Sequence, residues 1–220
     1  MDTIDFLRKT DLFKNLKEEE LIKISASVSK ISAPKNTLIL SNGDTSNSMY
    51  LIKSGKVNVT FIDKNGNEMI LTTLQQGDYF GELSIIDNLP RSANIFTIEK
   101  CEFIVLHRHD FLNLLEYNSS IAIGMLKYLC ERIRFTTNIT QGFALLNVYG
   151  RIRSLLYSLA ESFEGEVSQI GLPLTHQDIA SRVGSSRVMI TRIINELEKG
   201  GYISIKNKII TIHRKLPYEW

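Results

Sequence analysis

Ala122, Leu126, Leu129, Ile133, Thr136, Thr140 and Phe143 follow one another at alternating steps of four and three. No proline interrupts the stretch from Ser120 to Leu145 that carries them. The spacing therefore predicts one long helix with the a/d seam of a coiled coil. A second stripe, Ile121, Met125, Tyr128, Phe135, Ile139 and Leu146, runs beside the first. Either the helix is buried on two sides within one chain, or one stripe packs on its own domain and the other on a symmetry mate. Threonines inside the seam weaken a plain zipper and point to something polar beside them. The dimer is the favoured reading, with Ala122, Leu126, Leu129, Ile133, Thr140 and Phe143 as its seam.

The chain changes character on either side of this helix. Residues 1–28 suggest short helices, the second opened by the acids of LKEEEL. From Lys30 to about Leu106, short runs rich in Val, Ile, Thr and Tyr (TLILS, SMYLIKS, KVNVTFI, EMILTTL, NIFTIE, CEFIVLH) alternate with Gly, Asn and Asp turns. VNVTFIDKNGNEMILTTL is the clearest hairpin, with Asn65-Gly66 expected to supply a positive-φ turn. Strands so spaced, without long helices between them, predict an antiparallel sandwich or barrel. After Gly150 the expectation is a helix over GRIRSLLYSLAESF, then a loop with a short strand in EGEVSQIGLP.

Composition narrows the class. The 43% hydrophobic and 23% charged residues are those of an ordinary globular protein. Apolar runs are short, the start MDTIDFLRKT has no signal-peptide profile, and a cytoplasmic location without membrane contact is expected. Cys101 and Cys130 are the only cysteines and form no CxxC pair, which argues against a disulfide scaffold, a zinc ribbon or a four-cysteine cluster. The net charge of +2 conceals an asymmetry: Leu174–Lys215 carries eight basic against three acidic side chains, whereas residues 1–139 sum to −1. A basic C-terminal region fits a polyanionic partner.

That region also carries a pattern. Thr175 and Asp178 have capping-box spacing, Ile179, Ala180 and Val183 form one apolar face, and Gly184 stops the helix. Ser185 or Ser186 can cap the next helix, whose Ile190, Ile193, Ile194 and Leu197 face inward. Ser186, Arg187, Thr191 and Arg192 face elsewhere. Two helices joined by a glycine turn, then a two-stranded wing in YISIKNKIITI, describe a winged helix-turn-helix. Solvated arginines on a helical subdomain are the plainer alternative, but the polar residues gather at the second helix's start. The candidate DNA-facing set is Thr175, Gln177, Ser185, Ser186, Arg187, Val188, Thr191 and Arg192.

In GELSIIDNLPRSA, residues 81–93, Gly81 before a helical turn lets backbone N–H groups approach an anion. Arg91 adds a planar, permanently charged fork suited to phosphate oxygens. Glu82 would repel phosphate, so its natural target is a hydroxyl such as a ribose 2′-OH. Together they describe a site for a small phosphorylated sugar. The same residue types suit a structural Glu82–Arg91 ion pair beside a turn equally well.

Over nearly its whole length the chain resembles the CRP/FNR family of bacterial transcription regulators. GELSIIDNLPRSA is similar to the phosphate-binding cassette of cyclic-nucleotide-binding domains, and SRVGSSRVMITRIINELE to the family's recognition-helix segment. CEF, HDF and VYGRI also occupy matching places. The resemblance implies an α+β fold: an N-terminal antiparallel β-roll sensor over 1–118, a dimerisation helix over 119–147, and a winged helix-turn-helix over 148–220. It implies a ligand set of Gly81, Glu82, Leu83, Arg91 and Ser92, with Arg132 and Thr136 from the long helix and Thr137 reaching the partner subunit's nucleotide. The implied effector is cAMP or a related cyclic nucleotide, with no metal. The implied partners are a second copy, a palindromic double-stranded operator and RNA polymerase. One departure concerns base readout. Where the family pattern has glutamate after the recognition arginine, this chain has Val188, which cannot accept from cytosine N4 but can touch a thymine methyl. An A·T-richer half-site is expected.

Other readings fit the same residues. The same dimer can be gated by redox, haem or a metabolite, although an N-terminal cysteine set is missing and His107 and His109 fall in an expected surface turn. Alternatively, a cyclic-nucleotide module controls a protein partner. An enzyme is disfavoured, because GxSxG, HExxH and Walker patterns are missing.

Overall fold

The computed structural model describes residues 2–162 and 168–218. It divides into two compact units: the chain up to Asn65 with Ile70–Ile133, and Arg134 onward with Gly66–Met69.

The first unit opens with α1 (Thr3–Lys9) and α2 (Glu18–Ser27). Acids at Glu18, Glu19 and Glu20 favour the start of α2, and Glu20 accepts from the Lys17 backbone N–H at 2.8 Å. Eight strands follow: β1 (Ser29–Ala33), β2 (Leu38–Leu40), β3 (Ser48–Ser54), β4 (Val57–Ile62), β5 (Glu68–Leu74), β6 (Tyr79–Phe80), β7 (Asn94–Thr97) and β8 (Cys101–His107). They form two four-stranded sheets, ordered β1-β8-β3-β6 and β2-β7-β4-β5. α3 (Glu82–Asp87) lies between β6 and β7, and α4 (Arg108–Tyr117) leads into α5 (Ser119–Leu145).

The β1-β8-β3-β6 sheet is covered on both faces, which explains the nearly continuous apolar run of CEFIVLH. Cys101 and Phe103 of β8 pack with Val57, Val59 and Ile95 of the other sheet. Ile104 and Leu106 point the opposite way, toward Phe6, Leu21, Phe111, Ile121 and Met125 of the helices. The second stripe of α5 thus begins in the core, as expected. The first stripe is split: Leu129 packs against this core, whereas Leu126 is 62% exposed and Ile133 66%.

The second unit contains α6 (Val148–Leu159), β9 (Ala160–Ser162), β10 (Ser168–Ile170), α7 (His176–Val183), α8 (Arg187–Lys199), β11 (Ile203–Lys206) and β12 (Ile209–Ile212). Its sheet is ordered β11-β12-β10-β9, and its core joins Ile152, Leu156, Ile179, Ile190, Ile194, Leu197, Ile203 and Ile210.

Three local expectations change. The helix expected to reach Phe163 ends at Leu159, because Ala160 turns extended and pairs with Ile170; Phe163 itself lies outside the described residues, as do 164–167 of the expected loop. The wing is therefore the outer half of a four-stranded sheet. In the 63–67 turn only Gly66 has positive φ, since the Asp63 carboxylate accepts from the Asn65 N–H at 2.8 Å and holds an Asx turn. The positive-φ pair occurs instead at the wing tip, at Asn207 and Lys208 with φ of 53° and 65°.

Candidate functional site

β6 hands the chain directly to α3 at Gly81, whose φ is +83°. A side chain there would be strained, and its Cβ would sit 2.6 Å from Arg91 Nη1. This close approach lets the loop after α3 bring Arg91 underneath, where it is 3% exposed; Glu82, the first residue of α3, is 6% exposed. The guanidinium does not close on Glu82. Nη1 donates to the Gly81 carbonyl and, at 2.7 Å, to Ser84 Oγ. Nη2 donates to the Ser48 carbonyl and, at 2.7 Å, to Ser46 Oγ. Of the five guanidinium donors, only Nε–H is buried without an acceptor among the described residues.

Both charges are in a poorly solvated place. Burial pushes the Glu82 carboxyl above the ordinary carboxylate value, opposed by a backbone N–H and then by Arg132 and Arg91. Burial likewise lowers the Arg91 guanidinium, opposed by Tyr50 and Glu82.

Around them is a cavity of about 60 Å³ walled by Phe80, Gly81, Glu82, Leu83, Ser84, Arg91, Ser92, Tyr128 and Arg132, among others. Its aromatic wall is tied down: the Tyr128 ring lies against Tyr79 with centroids 4.3 Å apart and planes tilted by 36°, and its hydroxyl donates to the Tyr79 carbonyl at 3.2 Å. The structure thus brings together Gly81, Glu82, Leu83, Arg91, Ser92 and Arg132. On α5 the lining ends at Arg132, and Thr136 and Thr137 are exposed. Ser46 and Ser84 were missed by sequence reasoning. Ser84 was legible as the residue one turn into α3; Ser46 had no signal.

In the second unit, the Thr175–Asp178 capping box forms as expected. The Thr175 N–H donates to Asp178 Oδ2 at 2.8 Å and Asp178 N–H to Thr175 Oγ1 at 3.1 Å. Gly184 ends α7 at φ +61°, and a Cβ there would lie 2.8 Å from the Phe143 ring. Ser186 caps α8, accepting from Met189 N–H at 3.3 Å. Ile190, Ile193, Ile194 and Leu197 bury the inner face. Ser186, Arg187, Val188, Met189 and Arg192 are exposed, Val188 to 80%, and Arg192 reaches Glu196 at 3.6 Å. Gln177 is exposed and Ser185 half-buried. Thr191 is half-buried, its hydroxyl 2.9 Å from His176 Nδ1. An outward α8 face with arginines at its start is shaped to enter a DNA groove.

Comparison with known proteins agrees with both halves. A family model described as a cyclic nucleotide-binding domain matches residues 30–118, and one described as a Crp-like helix-turn-helix domain matches 150–215. The cAMP-activated global transcriptional regulator CRP of Pasteurella multocida is 32% identical over 183 residues, 82% of this chain and 88% of that protein. This chain belongs to the CRP/FNR family of transcription regulators. A CRP-like cAMP-activated global transcriptional regulator of Mycobacterium tuberculosis is 26% identical over 211 residues, 94% of each chain. In fold, the chain is similar to the c-di-GMP responsive global regulator CLP of Xanthomonas campestris. That likeness has a TM-score of 0.76 at 23% identity, over 86% of this chain and 96% of that one. The CRP/FNR chain described here thus couples a cyclic-nucleotide-binding fold to a DNA-binding helix-turn-helix. Among the described residues, no helix is long and apolar enough to cross a membrane.

Proposed function

We propose that the chain acts in the cytoplasm as a homodimeric, cAMP-gated regulator of transcription. In this reading residues 1–118 sense the nucleotide, 119–147 form the dimer helix and 148–220 bind a palindromic operator. The observation that carries the sensor assignment is Arg91: a cation 3% exposed, with one N–H lacking an acceptor among the described residues, in a cavity shared with Glu82. A cyclic phosphate supplies that acceptor and the charge; the ribose hydroxyl donates to Glu82. Leu83 and Ser92 border the phosphate and Arg132 the sugar. Thr136 and the partner's copy of Thr137 meet the base.

The cavity's 60 Å³ falls well below the roughly 300 Å³ of a small-molecule site, so binding must open it. That opening couples ligand to helix, because α5 supplies Tyr128 and Arg132 to the wall and Leu126 and Ile133 to the seam. The nucleotide shifts the dimer only by preferring one arrangement of these helices. On DNA, Arg187 reads a base edge; Arg192, Ser185, Ser186, Thr175 and Gln177 lie near phosphates; Val188 touches a thymine methyl. RNA polymerase is the partner of the DNA-bound state.

Calorimetric titration with cAMP, with cGMP as control, tests the proposal. Micromolar cAMP binding that vanishes in Arg91→Ala, with cAMP-dependent DNA affinity falling steeply with salt, is the expected result. Salt-steep DNA binding indifferent to every cyclic nucleotide refutes the cAMP assignment and leaves another signal as the effector.

A further inference from the structure

A groove of about 580 Å³ lies wholly within the second unit and shares no residue with the Arg91–Glu82 cavity. Its volume is that of a small-molecule site, roughly 300–1,000 Å³. We propose that it binds an amphipathic monocarboxylate, an apolar chain or ring system ending in one carboxylate.

The long wall is the second stripe of α5, where Phe135, Ile139, Gly142 and Leu146 recur at steps of four and three. Leu155 of α6 and Val183 of α7 close it. Gly142 stands two residues from Thr140, about 200° round the helix. The groove therefore faces away from the seam of the proposed dimer, and a partner seated on that seam leaves it open. Gly142 adds a second sign of a vacancy kept for something. It has no positive φ, and a Cβ on it would meet nothing within 4 Å. Neither backbone nor packing requires glycine there, and glycine weakens a helix interior. What its missing side chain provides is room on the floor of the groove.

The charge of the groove is one-sided. Arg151 and Arg182 line it, and among the described residues no Asp or Glu does. Arg151 is held in place by neutral partners: Nε donates to the Val183 carbonyl at 2.8 Å, Nη1 to the Leu146 carbonyl at 2.9 Å, and the guanidinium lies 5.0 Å from the Phe143 ring centroid. Those bonds tie the ends of α5 and α7 to α6, so the site is formed in advance. They leave the Nη2 donors without an acceptor and the charge without an ion pair among the described residues. Burial lowers the Arg182 guanidinium, opposed by Asp178, and an anion beside it would oppose that burial further. An apolar wall with two cations asks for an apolar body with one negative end.

The test is calorimetric titration of the full-length protein with decanoate below its micelle concentration, with decanol and decylammonium as charge controls. Decanoate is expected to bind with Kd on the order of 100 µM. Both controls should bind about tenfold more weakly or worse, the scale of one hydrogen bond to a charged group. Gly142→Leu fills the floor with a better helix former and is expected to abolish binding without lowering the melting temperature. Ser154→Glu, three residues after Arg151 on the same wall, supplies the missing carboxylate within the chain. It should weaken decanoate about tenfold, whereas Ser154→Gln should bind like wild type. Equal binding of decanol or decylammonium overturns the carboxylate assignment. Absence of decanoate binding at millimolar concentration, or undiminished binding by a folded Gly142→Leu, overturns the site. A changed oligomeric state of Gly142→Leu in sedimentation would mean that a second copy covers the groove, which overturns the inference as well.

Discussion

The Arg91–Glu82 cavity and the outward face of α8 handle their charges in opposite ways. Arg91 and Glu82 are all but removed from water, and four of five Arg91 donors are already bonded to the protein. Arg187 and Val188 stand exposed at the start of α8, held only by the helix beneath them. In the proposed function, the cavity uses the same atoms for recognition and for folding. On α8 they are separated: Ile190, Ile194 and Leu197 hold the helix, and the opposite face is left for the partner. The cavity therefore cannot be altered without touching stability, and the helix face can.

Paired alanine substitutions break this comparison if it is wrong, and they have the largest expected effect. Arg91→Ala is expected to weaken cAMP binding by about 100-fold or more, as two charge-assisted bonds to the phosphate are lost. It should also lower the nucleotide-free melting temperature by roughly 5 °C, because the Gly81 and Ser48 carbonyls lose a buried donor. Arg187→Ala should weaken operator binding by about 1–3 kcal/mol and leave melting within about 1 °C of wild type. Titration and scanning calorimetry on the same samples decide it. An Arg187→Ala protein that melts as early as Arg91→Ala would show that α8 is not merely a display surface.

The same contrast explains what was legible beforehand. The helix-turn-helix could be read residue by residue because its contacts are local: the Thr175–Asp178 box spans three positions, and the apolar faces follow helical period. The α5 stripes were legible for the same reason, including the exposed Leu126 and Ile133. In the cavity, sequence gave Gly81, Glu82 and Arg91 as a cassette but left a Glu82–Arg91 ion pair open. What excludes that pair is long-range: Arg91 bonds Ser46 across 45 positions and the Ser48 carbonyl across 43. No local pattern encodes such partners. Strand edges failed for a related reason, since Ala160–Ser162 is helical by period and becomes strand only by pairing with β10.

Glu82→Gln sharpens the cavity side. Burial holds the Glu82 carboxyl above its ordinary value of 4.5. With the folded pKa above the unfolded one, this group's contribution to stability is fully present below about pH 4.5 and is lost as pH rises through the folded pKa. Glu82→Gln removes that loss, so without nucleotide the variant should melt above wild type at pH 7, with a flatter pH dependence above pH 4.5. Its cAMP affinity should fall by about tenfold, because a neutral amide is a weaker acceptor for the ribose hydroxyl. A variant that melts lower at pH 7 would mean that the carboxylate stabilises the empty fold, and the trade between stability and binding would be gone.

Val188→Glu does the same for the DNA side. An exposed carboxylate there can accept from cytosine N4, which the isopropyl group cannot. Selection from random DNA should move one step of each half-site from A·T toward C·G, with discrimination of about 1–3 kcal/mol, and melting should be unchanged. An identical selected site for both proteins would remove Val188 from the reading set.

Thr191 tests where the boundary between folding and reading runs on α8. Its position among the outward polar residues suggests a DNA contact, but the side chain is half-buried and its hydroxyl lies 2.9 Å from His176 Nδ1. His176 is the first residue of α7, so this one hydrogen bond ties the two helices of the motif together. Valine matches threonine in shape and lacks the hydroxyl. Thr191→Val should therefore cost about 1 kcal/mol of stability in the DNA-binding unit and leave the selected half-site unchanged, with any loss of affinity equal for all sequences. The opposite outcome, unchanged melting with an altered base preference at one step, would place Thr191 with Arg187 and Val188. The reading face of α8 would then include a half-buried side chain between the exposed Val188 and Arg192.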